Sequence, residues 1–126
     1  MVRLHPPFRR ATDADRDGIA ALVPHGAPTG GVVAEEEGSV VAIMSGEPAG
    51  DAWRIEAIAV RPDKVAELGP RILAVADALA ADEGLAVVSL RTGALAPDFR
   101  AILDGEGFRP AGDGDDAMER PVVPQG

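Results

Sequence analysis

Apolar positions along this chain change period several times, and each change marks an element. Phe8 to Ala11 form a short first strand. In TDADRDGIAALV, Ile19, Leu22 and Val23 recur at helical spacing; Thr12 suits an N-cap, and Asp13 and Asp15 fall in the first turn, where the helix dipole favours acids. Pro24 ends that helix, and PHGAPTGG is a turn-rich connection. VVAEEEGSVVAIMSG places two β-branched runs around Glu37-Gly38, which predicts a hairpin. After the AGD turn, WRIEAIAV reads as a further strand. Simple alternation puts Trp53, Ile55, Ala57 and Ala59 on one side and Arg54, Glu56, Ile58 and Val60 on the other.

A striped helix follows over Lys64–Glu83, with Leu68, Ile72, Val75, Ala76 and Leu79 on one face and Gly84 as its C-cap. AVVSL, Ala86 to Leu90, is a short continuous apolar run of the kind a buried strand shows. Pro97 opens a short helix through Phe99, Ile102 and Leu103, closed by GEG; Phe108 starts an edge-like strand, and Ala117 to Val123 form a last one. The order β-α-β-β-β-α-β-α-β-β contains one strand-helix-strand unit, whose right-handed crossover makes Trp53–Val60 and Ala86–Leu90 a parallel pair. The hairpin makes its neighbours antiparallel. The expected class is therefore α/β (α+β), a mixed, mostly antiparallel central sheet flanked by helices. The 126 residues suffice for one core, so residues 1–126 read as a single domain, with 1–7 and 122–126 as loose ends.

Composition narrows the chemistry. Hydrophobic residues make up 46% and aromatic ones only 3%, with no Tyr, so the core is built from Val, Ile, Leu and Ala. Twelve basic residues against 21 acidic ones give a formal charge of −9. That argues against nucleic acid and against anionic membrane surfaces, both of which are held by clustered Lys and Arg. The absence of cysteine excludes disulfides, thiolate metal sites and cysteine nucleophiles. No apolar run approaches the ~18 residues of a membrane-spanning helix, and MVRLHPPFRR is too short and too proline-broken for a signal peptide. A cytoplasmic location is expected.

The ordered words FRRATDADRDGIAALV, VVAEEEGSVVAIMSG, IEAIAVRP before a long helix, and AVVSLRT before a short helix ending in GEGF resemble the GNAT superfamily of N-acetyltransferases, from about Phe8 to Pro110. The resemblance implies acetyl-CoA as co-substrate, with backbone groups of Ile58, Ala59 and Val60 pairing with its pantetheine arm. Its pyrophosphate would sit on the free N–H groups at the start of the next helix. The loop in question departs from the family's. Where the family reads Gln or Arg, two residues, Gly, one residue, then Gly or Ala, this chain offers Lys64, Glu67 and Gly69, one residue early. Glu67 would repel a pyrophosphate by ~1–4 kcal/mol at about 4 Å. Pro70, compatible with a first helical turn, removes a donor, while Lys64 and Arg71 would partly offset the acid. Many members also place a Tyr in the short helix as proton donor to the departing thiolate; here Leu103 matches that position. Glu56, on the cofactor strand, is then the candidate general base. PHGAPTGG stands where the family has a second helix walling the acceptor site, which leaves the acceptor side open.

Other signals carry plainer readings. DADRDG fits the opening of a calcium-binding loop, but that loop needs a bidentate Glu where Pro24 stands. GDGDD, Gly112 to Asp116, reads as a solvated hairpin tip. His5 and His25 read as surface histidines, Ser45 and Ser89 lack a nucleophile-elbow context, Trp53 reads as core or interface, and Arg91-Thr92 ends a strand on the cofactor side. No metal site is expected. Two functions remain open. One is an acetyl-CoA-dependent N-acetyltransferase acting by direct transfer in a ternary complex on a small-molecule or peptide amine. The other is a catalytically inactive GNAT-like module for binding, regulation or homodimerisation.

Overall fold

A computed structural model describes residues 4–23, 28, 30–91, 95, 97–111 and 117–122. The expectations for Pro24, His25, Thr92 and the 112–116 turn lie outside the described residues. The elements in chain order are β1 (Phe8–Arg10), α1 (Arg16–Leu22), β2 (Val32–Glu36), β3 (Ser39–Ala49), β4 (Ala52–Val60), α2 (Val65–Asp82), β5 (Val87–Arg91), α3 (Pro97–Leu103), β6 (Arg109–Pro110) and β7 (Ala117–Pro121), with short 3-10 turns at Asp13–Asp15 and Pro62–Lys64. They build one mixed sheet in the order β1-β2-β3-β4-β5-β7-β6. Every pair is antiparallel except β4 beside β5.

Local chemistry explains most of these boundaries. Glu37 (φ 53) and Gly38 (φ 80) close the β2–β3 hairpin with both central residues left-handed, the turn whose twist matches its strands. Asp15 reaches back to accept from the Thr12 N–H at 2.7 Å, which satisfies a donor that the start of the helical segment leaves free. Gly84 (φ 73) ends α2 in the left-handed conformation a non-glycine residue resists.

The main core lies between one face of the sheet and helices α2 and α3, with Leu68, Ile72, Leu73, Phe99, Leu103 and Phe108 fully covered. A smaller cluster of Ile19, Val33 and Ile43 sits on the opposite face beneath α1. The expected alternation along β4 does not hold. Ser45 pairs with Ala57 and Gly46 with Ile55, so Glu56 is an extra residue with no partner on β3. This β-bulge reverses the phase of the strand. Ile58 and Val60 therefore enter the main core alongside Trp53 and Ile55, while Ala59 turns to the α1 side. Pro70 also differs from expectation, lying inside α2 and not in its first turn.

Candidate functional site: a gap between β4 and β5

The bulge has a second effect. The parallel ladder runs from Ala52↔Val87 to Ile55↔Leu90 and stops there. Beyond it, Ala57 to Val60 stay paired with β3 on one edge and face no strand on the other among the described residues. Alternate peptide groups of an antiparallel strand point away from its partner, and such groups require a hydrogen-bond partner, from water or a ligand. Ile58, Ala59 and Val60 line this open edge.

The gap leads to the start of α2, which is crowded with its own charges. Pro62 has no N–H to offer, and the Lys64 N–H donates to the Arg61 carbonyl at 2.8 Å. Asp63 accepts from Arg61 Nε at 2.6 Å and from its Nη2 at 3.0 Å. This contact raises the guanidinium above its ordinary pKa and lowers the carboxyl below its own. Lys64 Nζ lies 3.0 Å from Glu36 and 3.6 Å from Glu67; its pKa is raised, chiefly by Glu36. Two carboxylates thus stand at a helix N-terminus that would otherwise attract an anion.

Two expected contributors to the loop are used elsewhere. Gly69 is buried within α2, and a methyl at its Cβ position would lie 2.5 Å from Ile102 Cδ1, so it permits the close approach of α3. Arg71 donates to the Pro6 carbonyl at 3.2 Å and stacks over the Phe8 ring at 5.4 Å, tied to the β1 edge.

Glu56 projects from the bulge, with its side chain 46% exposed and 3.6 Å from Arg54 Nη2. Arg54 also meets Glu47 at 3.1 Å. The Glu56 carboxyl is pushed above its ordinary pKa, first by its hydrogen bond to Glu47 and then by the Glu47 charge; Arg54 works against both. Leu103 is fully buried in the main core, so α3 presents no donor there. Trp53 is a core residue whose ring lies across Gly46. His5 is exposed.

Two ionic assemblies had no counterpart in the sequence reading. Arg9 holds Asp15 through two hydrogen bonds of 2.8 Å and Glu35 through bonds of 2.6 and 3.0 Å. It forms one wall of an open groove of about 730 Å³ between α1 and the β2–β3 hairpin. The Asp15 carboxyl is held well below its usual range, chiefly by Arg9, and Arg9 is raised in turn. With Asp15 so engaged, DADRDG serves as a helix start. Within the main core, Arg120 on β7 pairs with Asp77 on α2 at 2.5 Å, both nearly inaccessible. Neither assembly has a local spacing signal. Among the described residues, no three His, Asp or Glu converge as a metal site, and no helix is long and apolar enough to cross a membrane.

No protein-family model matches the chain, and no curated protein matches it. Solved structures do. Nourseothricin acetyltransferase superposes with a TM-score of 0.75 at 17% identity, covering 92% of this chain and 98% of its own. Ard1 from Thermoplasma volcanium gives 0.74 at 16% identity over 93% and 97%. An aminoglycoside 6'-N-acetyltransferase complexed with coenzyme A gives 0.72 at 12% identity over 94% and 98%. At these identities the likeness is one of fold: the chain has the fold of the GNAT N-acetyltransferases.

Proposed function

We propose that this chain is an N-acetyltransferase that takes acetyl-CoA and an amine and transfers the acetyl group directly between them. The observation that carries this reading is the unpaired edge of β4 beyond the bulge. It offers peptide groups of Ile58, Ala59 and Val60 to the amides of a pantetheine arm. A structure of the same fold binding coenzyme A supports it. Glu56 projects beside that edge and takes a proton from the acceptor ammonium, directly or through water. The freed amine attacks the thioester carbonyl; an N–C bond forms, the C–S bond breaks, and one further proton of the attacking nitrogen goes to the departing thiolate, leaving the amide. With Leu103 buried and no Tyr in the chain, the transfer relies on that proton and not on a side-chain donor from α3.

A second reading is an inactive ligand-binding or regulatory module. The acids at the start of α2 favour it, since Asp63 and Glu67 stand where a pyrophosphate would be cradled and Arg61 and Lys64 are already paired. A titration with acetyl-CoA, followed by thiol release over a panel of amines, separates the two. A ligand at 100 times its dissociation constant stabilises the fold by ~2.7 kcal/mol. Binding with turnover that Glu56→Gln abolishes supports the enzyme. Binding without turnover on any amine supports the module.

A further inference from the structure

The bulge that opens the gap also brings a second carboxylate to Glu56. On β3, Glu47 lies directly across from Arg54 in the β3–β4 register. Glu56, the extra residue, has no cross-strand partner and leans toward the same guanidinium. One Arg54 nitrogen lies 3.1 Å from Glu47 and 3.6 Å from Glu56. One cation therefore serves two acids. We propose that Glu47 is a second, positioning carboxylate for the proton transfer assigned to Glu56, standing beside it and competing with it for the Arg54 guanidinium that both share. This rests on the acetyltransferase reading.

The physical reason is charge balance. A single guanidinium neutralises one carboxylate, so the triad keeps a net negative charge and the two acids compete for one proton. A base whose affinity for protons lies nearer the working pH takes one from an ammonium more readily than an ordinary glutamate does. In agreement, the Glu56 carboxyl is shifted upward, with Glu47 as the largest cause and Arg54 opposing it. Other polar and charged groups stand on the neighbouring elements. On β5, Ser89 stands opposite Arg54 and Arg91 ends the strand. On β7, Glu119 is opposite Ser89. On β3, Ser45 is opposite Ala57. None of these outweighs Glu47 or Arg54 at Glu56.

The test uses Glu47→Gln and Glu47→Asp in the full chain. The Glu47 side chain is 56% exposed, so neither variant disturbs a core. Carboxyl NMR titration of Glu56 reads its midpoint without any need for turnover. The acid limb of the kcat/KM profile, with acetyl-CoA and an accepted amine, reads the catalytic consequence. In Glu47→Gln both the midpoint and the acid limb move to lower pH together, while Glu47→Asp keeps them near the parent. An unmoved Glu56 midpoint, or an acid limb that ignores it, overturns the proposal and leaves the acetyltransferase reading standing. Absence of turnover in the parent on every amine sinks that reading, and the proposal with it.

Discussion

Removing Asp77 should unfold this protein more readily than any exposed substitution. Its carboxylate is 1% accessible and pairs with Arg120, itself 6% accessible. The guanidinium also donates to the Glu106 carbonyl at 2.6 Å, approaches the Leu73 carbonyl at 3.4 Å and stacks on the Phe108 ring at 4.9 Å. Asp77→Asn keeps the shape but leaves that cation in the core with only the more distant, partly exposed Glu106 carboxylate, 3.9 Å away, as counter-charge. Breaking a buried pair from one side costs roughly 3–5 kcal/mol. Over 126 residues, total stability should be on the order of 6–19 kcal/mol at 0.05–0.15 per residue, so the loss is a large share. Replacing both partners with apolar residues is different. Asp77→Leu with Arg120→Met removes both desolvation costs and sacrifices chiefly the bond to the Glu106 carbonyl, worth ~1–3 kcal/mol. The double variant should therefore be clearly more stable than Asp77→Asn alone. Urea unfolding with a two-state fit measures each variant. If Asp77→Asn lies within about 1 kcal/mol of the parent, Arg120 reaches water or another partner on losing its acid, and the buried-charge reasoning fails for this pair.

Three further outcomes follow from the same contacts. Gly46→Ala places a methyl 2.4 Å from the Arg54 carbonyl oxygen and 2.6 Å from the Trp53 ring, an overpacking worth ~1–3 kcal/mol or more; an unchanged thermal midpoint would show that the bulge can absorb it. Glu67→Gly should tighten acetyl-CoA binding about ten-fold or more, most at low salt, because it deletes a charge beside the expected pyrophosphate; calorimetry at two salt concentrations checks this, and equal affinities would mean Glu67 points away from the ligand. Because Arg9 lowers the folded-state pKa of Asp15, their contact stabilises fully above the ordinary aspartate range near pH 4 and is lost as the pH falls below it. Arg9→Met should therefore flatten the acid side of the stability curve, and a mutant curve parallel to the parent's below pH 4 would contradict that.

Most of the fold was legible because its signals are local. The Glu37-Gly38 turn, the stripe from Leu68 to Leu79 and the strand-helix-strand order each rest on residues close in sequence, and the structure returns the hairpin, α2 and the parallel β4–β5 pair. The ion pairs of Arg9 with Glu35 and of Arg120 with Asp77 join residues far apart in the chain, so no spacing announced them. The bulge lies between these cases. Large apolar residues in WRIEAIAV stand at 53, 55, 58 and 60, and the wider middle step marks the extra residue. A strict two-residue period hid it, because a bulge is defined by the partner strand as much as by its own. The resemblance implied Gly69 and Arg71 for the loop; a motif match does not reveal that α3 and β1 already use them.

The two ends of the proposed donor site therefore make opposite demands. At the bulge, one inserted residue turns Ile58 and Val60 into the core, frees the edge of β4 and carries a carboxylate beside it. Every consequence there favours a thioester arm lying along the strand. At the start of α2, Asp63 and Glu67 do for the helix what a bound anion would do, since acids at an N-terminus offset its dipole without any ligand. Stability gained that way is taken from affinity for pyrophosphate, because the same N-terminus cannot hold both charges cheaply. The strand decides where acetyl-CoA would lie; the acids at the helix start decide how tightly. A donor held mainly by its pantetheine arm would bind weakly and leave readily, so turnover on an amine, and not tight affinity, separates an acetyltransferase with a poor grip on its donor from an inactive module.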